Sequence, residues 1–503
     1  MTHALQIIWF KRDVRVHDHE PLVRAAEHGP VLGLYVYEPS LLGSAEYDAM
    51  HFHFVQEGLL ELRERLRGLG SELLLRVGEV PQVLSELWAE CPFETLWAHE
   101  ETGNWLTYQR DLAVQRWARE RGVPFVEIPH HGVVRRLKSR DGWAAMWERR
   151  MAQDALYAPE RLLRPASMPA AGELQDASTF GFTSERRALA MRGGESRAWK
   201  VLESFLTDRG QHYRGDMSSP VEGWRSCSRI SPFLTWGHIS MRAAYQRTLI
   251  QIEELRTQKE RGEKVERGWF GSLDSFKARL HWHCHFMQKL EDEPQIEFRN
   301  VNRAFDGLRE NDFNEAYFHA WCEGQTGYPM VDACMRALHQ AGWINFRMRA
   351  MLVSFASYHL WLHWRRPAVF LARHFQDFEP GIHFSQFQMQ SGVTGINTVR
   401  IYSPIKQVLD QDPDGKFIRK YVPELANLPA VYLPEPHRMP ELAQLEFGCR
   451  IGVDYPAPIV DHKAAYAQAK ARIFAHRGLE SVRDEAKRVY QKHGSRKSPE
   501  RRR

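Results

Sequence analysis

Two serines and an arginine crowd the start of a helix in the stretch S-R-I-S-P at 228 to 232. Pro232 belongs in a first helical turn, where its missing N–H costs nothing. Free backbone N–H groups there, with the Ser228 and Ser231 hydroxyls and the Arg229 guanidinium, suit either a pyrophosphate or an ordinary N-cap. A second stretch is apolar at helical spacing: Met330, Val331, Cys334, Met335 and Leu338, then Met348, Met351, Leu352, Phe355 and Ala356. Arg347 and Arg349 fall inside that pattern. A guanidinium near a buried wall needs an acidic side chain or an anionic ligand, because an unpaired buried charge is costly. We read this stretch as the wall of a cofactor cavity. In a third, H-W-H-C-H at 281 to 285, His281 and His285 share one helical face, as i and i+4 zinc ligands would. No acid follows in the H-E-x-x-H manner, so His281, His283 and His285 read as the lining of a polar pocket and no metal is expected.

These residues need elements to hold them. From 5 to 130, apolar runs at 5–10, 31–37, 72–77, 95–99 and 125–128 alternate with amphipathic helices such as 51–69 and 82–90. Such alternation predicts a doubly wound parallel sheet, with ligands beyond the strand C-termini. The loops K-R-D-V-R-V-H-D (11–18) and E-E-T-G-N (100–104) would occupy that rim. Neither G-x-G-x-x-G nor a Walker loop is present. From 132 the pattern dissolves among Pro159, Pro165 and Pro169, a connection long enough to wrap over a surface. Beyond 195 the periods are helical. The expected fold is therefore α/β + all-α: an antenna-type α/β domain over 1–131, a connector over 132–195, a helical domain over 196–480 and a basic tail over 481–503.

Composition excludes some classes. No run approaches the ~20 apolar residues of a transmembrane helix, and the start lacks the basic-then-apolar order of a signal peptide. The six cysteines form no C-x-x-C, which argues for a reducing, cytoplasmic setting and against a disulfide framework. The net charge of +5 is mild and gathers at the basic tail, which would bind polyanions non-specifically or simply be solvated.

Three blocks in order resemble the photolyase and cryptochrome family of flavoproteins. They are W-F-K-R-D-V-R-V-H-D (9–18), S-R-I-S-P-F-L-T-W-G-H-I-S (228–240) and T-G-Y-P-M-V-D-A-C-M-R-A-L-H-Q-A-G-W-I-N-F-R-M-R (326–349). The resemblance spans about 5 to 430 and implies FAD in the helical domain. It also implies a place for an antenna chromophore, whose identity the residues leave open. By resemblance, Cys227, Ser228, Arg229, Ile230 and Ser231 hold the FAD phosphates, with Tyr213 upstream. Asp377, Phe378 and Glu379 match the segment facing isoalloxazine and ribose, Arg347 fits as the partner of one of its acids, and Arg349 joins the lining.

Departures are as informative. His283 stands where an arginine usually helps hold the flavin, and His383 where an asparagine lies near N5. At the dimer pocket, Arg279 replaces the contacting glutamate beside Trp282, while Phe346 and Met389 replace an asparagine and a tryptophan. Of the electron-relay tryptophans only Trp364 is clear; Phe387 takes the flavin-proximal place, leaving Trp361, Trp343, Trp321 or Tyr317 as replacements. Phenylalanine is much harder to oxidise than tryptophan, and arginine at 279 inverts the local charge while strengthening phosphate contacts. The implied function is a monomeric, blue-light-driven DNA photolyase passing an electron from reduced flavin to a pyrimidine lesion. A cryptochrome-type photoreceptor with FAD but no repair is the alternative, and a nucleic-acid-binding flavoprotein without photochemistry a third.

Overall fold

Apolar runs without polar alternation suit strands covered on both faces, and five of them pair in parallel. They are β1 (Gln6–Phe10), β2 (Val31–Tyr37), β3 (Leu73–Val77), β4 (Thr95–His99) and β5 (Phe125–Ile128), ordered β3-β2-β1-β4-β5. The order reverses at β1, so the β1 and β4 C-termini frame the crevice where such sheets bind ligands. Gly33 in β2 is required by packing: a Cβ there would lie 3.0 Å from Leu66 and Phe10. The helix Ala49–Gly68 starts in a capping box of Asp48 and His51, and Trp105–Arg121 starts on Asn104, whose side chain accepts from the Thr107 N–H.

This computed structural model describes residues 4–165 and 167–495. Residues 496–503, most of the expected basic tail's charge, lie outside the described residues; the part before them includes the helix Glu480–His493. The described chain clusters into two compact units. The first lies within Met1–Gln211, Ser228–Pro294 and Gln376–Ile382, the second within His212–Cys227, Gln295–Phe375 and His383–Arg503. The sheet unit thus includes the helices Met241–Glu260 and Trp269–Asp292 and the segment bearing Asp377 and Glu379. The stretch expected as the connector contains a helix, Trp143–Met151, that buries Trp143, Trp147 and Met151. The second unit is helical. Its helix Phe346–Ser354 continues as a π-helical turn, Phe355–His359, and ends before Trp361, whose φ of +53° is rare for an L residue.

Candidate cofactor-binding site

In the first unit the loop after β1 is a knot of charge. Asp13 is buried and its Oδ2 accepts from His19 Nε2 (2.9 Å) and His99 Nδ1 (2.7 Å), while Oδ1 accepts from the Lys11 N–H (2.7 Å). His19 Nδ1 accepts from the Leu22 N–H, so Nε2 carries its proton. Burial opposes the charge of Asp13, yet the two imidazole donors hold its carboxyl well below the usual range. Burial pushes His99 down to about 3, so both imidazoles stay neutral. The ligand-capable atoms of Asp13, His19 and His99 lie within 4.8 Å of one another. Their hydrogen bonds to each other account for that closeness.

Arg12 reaches across 367 residues of sequence: its Nη2 donates to Glu379 Oε2 (3.2 Å) and to the Phe378 carbonyl (3.1 Å), and its Nε to the Thr235 carbonyl (3.0 Å). The guanidinium stacks 5.0 Å from the Trp236 ring, and Trp236 Nε1 donates to the Gln376 carbonyl. Burial, partly offset by Arg12, raises Glu379 to about 7. The partner expected for an acid of this segment was Arg347; for Glu379 it is Arg12, from the first loop of the chain.

The same unit brings the S-R-I-S stretch to the acid-bearing segment. Ser231 Oγ donates to Asp377 Oδ2 (2.6 Å), and Arg209 Nη2 donates to the Ser228 carbonyl (2.5 Å). Arg229 holds a left-handed φ of +57°, an uncommon conformation that tends to occur where function constrains the backbone. The helix behind it, Ser231–Thr235, is five residues long and has no side-chain cap, which removes the ordinary N-cap as an explanation of the serines. Gly381 lies so close to the helix Trp269–Asp292 that a Cβ would stand 2.6 Å from Met287 Cα. That helix points His283 inward, where Arg12 and Asp377 act on it electrostatically and burial lowers it to about 4. Neither ring nitrogen of His283 has a hydrogen-bond partner among the described residues. Arg279 and Trp282, three residues apart, are exposed on the same helix. His285 Nδ1 accepts from Arg140 Nη2 (2.8 Å), and His281 packs edge-on against Trp143 and Trp147.

The second unit holds the remaining residues. Tyr213 and Cys227 are buried. Arg349 Nε donates to the Ile344 carbonyl (2.8 Å) and its guanidinium stacks 4.1 Å from Phe375. Arg347 Nε is buried with no partner among the described residues, as are Ser385 Oγ and Gln386 Oε1. His383 Nε2 meets the Ala368 carbonyl at 2.8 Å, so that nitrogen carries the proton, and its ring packs on Phe387 at 4.7 Å. Trp364 is fully buried and donates to Asn300 Oδ1 (2.8 Å). Trp361 carries Arg309 at 4.5 Å and Arg472 at 4.2 Å over its ring. Two cations beside one indole make removal of an electron from it harder, which counts against Trp361 as a relay. Phe346 is half exposed and Phe387 is buried.

Buried polar atoms without partners test whether a large polar cofactor suits this chain. His283 in the first unit, with Arg347, Ser385 and Gln386 in the second, are such atoms, and they belong to the helices carrying the quoted motifs. Residues 6–142 match the family model "DNA photolyase", and residues 276–475 match "FAD binding domain of DNA photolyase". The chain belongs to the photolyase and cryptochrome family of flavoproteins. Among curated relatives, a cryptochrome DASH of Gloeobacter violaceus is 28% identical over 492 residues, covering 92% of this chain and 94% of its own length. A deoxyribodipyrimidine photo-lyase of Alkalihalophilus pseudofirmus is 26% identical over 485 residues, covering 92% and 96%. A solved bacterial class III photolyase from Agrobacterium tumefaciens superposes with a TM-score of 0.81 at 26% identity, over 95% of this chain and 99% of that one. Photolyase-family relatives thus carry both repair and cryptochrome names. Among the described residues no helix is long and apolar enough to cross a membrane.

Sequence reasoning missed Arg12 as the partner of Glu379. The only signal was three consecutive charged residues, K-R-D, directly after a fully buried strand.

Proposed function

We propose that the protein is a blue-light-driven, FAD-dependent DNA photolyase, acting as a monomer in the cytoplasm on ultraviolet-damaged DNA. The observation that carries this is the pairing of Ser231 with Asp377 beside an inward His283 whose ring nitrogens have no hydrogen-bond partner among the described residues. Ser228, Arg229, Ile230 and Ser231, with Tyr213 and Cys227, would hold the pyrophosphate. Asp377, Phe378 and Glu379, with His283, Arg347, Arg349 and His383, would hold the ring and ribose. FAD supplies photochemical one-electron transfer to the lesion. The chain's own part is to bind, orient and keep water out. Glu379 with Arg12 fixes the loop that carries Asp377, and His383 is oriented by its Nε2–H, which donates to the Ala368 carbonyl. Exposed Arg279 and Trp282 would meet DNA, the one through phosphate and the other by stacking on a base. Trp364, held by Asn300, would be the relay tryptophan. An antenna chromophore would occupy the rim of the sheet.

Lesion-bearing duplex incubated with reduced, FAD-loaded protein and blue light tests the reading. Loss of cyclobutane dimers or of (6-4) products is the expected outcome, and persistence of both excludes repair. The cryptochrome alternative is favoured by one observation: a cation, Arg279, stands beside Trp282 on the exposed helix face, and the exposed carboxylate of that helix, Asp274, is paired with Lys277 (3.1 Å). Limited proteolysis in light and dark tests it, and identical fragments would weigh against signalling.

A further inference from the structure

The second unit buries a charge that its own side chains leave unanswered. Arg309 is 2% exposed, and burial lowers its pKa only to about 10, so it is a cation at neutral pH. Its guanidinium lies over two aromatic rings, 4.5 Å from that of Trp361 and 5.4 Å from that of Tyr358. Its Nε and Nη2 are buried and have no hydrogen-bond partner among the described residues. Those two nitrogens form one edge of the planar fork, the edge that grips an anion with two parallel N–H bonds.

The acids nearest in sequence are committed elsewhere. Glu310 turns its carboxylate back onto backbone N–H groups, accepting from that of Arg309 at 2.9 Å, and lies 3.8 Å from His363 Nε2. Asp312 Oδ2 accepts from Arg472 Nη2 (2.6 Å), and Arg472 is itself a second cation over Trp361, 4.2 Å from its ring. Trp361 Nε1 and Tyr358 Oη are also buried without partners among the described residues. Three neighbouring side chains thus hold N–H and O–H groups with nothing to receive them. Water would satisfy such donors and leave the charge uncompensated, which is costly in a buried place. One guanidinium balances one negative charge, and a divalent ion would lose more hydration than that contact returns.

We propose that the Nε–Nη2 edge of Arg309 is a binding site for a small monovalent anion, of the size of chloride or nitrate, held beside Tyr358 and Trp361. None of the residues assigned above to FAD or DNA takes part, so the site stands or falls separately from the proposed function.

Thermal unfolding of full-length, FAD-loaded protein is followed as sodium chloride, and in a second series sodium nitrate, replaces sodium gluconate. Ionic strength is kept constant, which holds screening fixed, and gluconate is too bulky for the site. The expected result is a midpoint that rises by about 2–4 °C and saturates in both series. Nitrate salts proteins out less than chloride does, so a rise in both cannot come from general salt effects. Arg309→Met is expected to remove the dependence on both anions with FAD content unchanged. Tyr358→Phe deletes one hydroxyl and keeps the ring. It is expected to raise the half-saturating concentration about tenfold, and it keeps the test informative should the first variant misfold. A flat midpoint, one that follows salt without saturating, or one that rises with chloride and falls with nitrate overturns the site. A saturating rise that survives Arg309→Met, or a half-saturation unmoved by Tyr358→Phe, places the anion elsewhere and overturns the assignment.

Discussion

The loop of residues 11–18 and the helix Phe346–Ser354 both set basic side chains into buried surroundings, and they resolve the cost in opposite ways. In the loop each charge is answered by the protein: Lys11 by Asp111, Arg12 by Glu379, Asp13 by His19 and His99. In the helix, Arg347 Nε finds nothing among the described residues. A closed network of that kind holds a loop in place. An open donor is what a ligand can use, and the difference separates scaffold from site without reference to sequence similarity.

The comparison breaks most visibly at Asp13. Asp13→Ala leaves two imidazole donors buried and removes one of the anions that act on buried Arg15, and it is expected to destabilise the protein by about 3–5 kcal/mol. Urea unfolding of the FAD-loaded protein checks this, and a loss below about 1 kcal/mol would show that the network is incidental. Arg347→Ala is expected to do the reverse. Stability without cofactor should change little, while FAD affinity falls by about 1.5–3 kcal/mol, the worth of one charge-assisted hydrogen bond. Flavin retained per protein after dilution measures it; unchanged retention would make Arg347 structural and erase the contrast.

Acid sharpens the comparison by a smaller step per group. The folded pKa of His99, about 3, lies below the unfolded value near 6.5, so its neutral form supplies stability that is present above pH 6.5 and lost as pH falls toward 3. Between pH 7.5 and 5.5 His99 alone should remove about 1.4 kcal/mol, and His19, lowered by burial, acts in the same direction. Denaturant midpoints across that range test it, and a flat profile in the wild type would contradict buried neutral imidazoles. In Asp13→Ala the slope should persist, because desolvation rather than the carboxylate lowers these groups.

Much of this was legible in the sequence where the signal is local. β2, β4 and β5 begin and end where the sequence runs do, and in β2 the reason is plain, since a strand buried on both faces has no polar residue to blur its edges. The helix Trp143–Met151 was hidden, since its apolar face is three residues deep and is flanked by arginines. The motifs at 228–231 and 377–379 identified themselves, and Ser231 and Asp377 do meet. The partner of Glu379 could not be read, because 367 positions separate it from Arg12 and no periodicity spans that distance. Nor could the sequence distinguish Arg347 from Arg12. Arg12 stands in a charged run and Arg347 in an apolar one, yet neither context names a partner, and only the geometry shows which one is already satisfied.

Gly381 carries a consequence for how this chain can change. The backbone of the helix Pro380–Gln390 approaches Met287 so closely that one added methyl would demand movement of two helices at once. Charged positions on either side have substitutes that cost an interaction; this one has none that leaves the spacing intact. Exchanges of acids, histidines or aromatics around the segment leave this spacing in place, so Gly381 is the ruler against which any new arrangement here would be set.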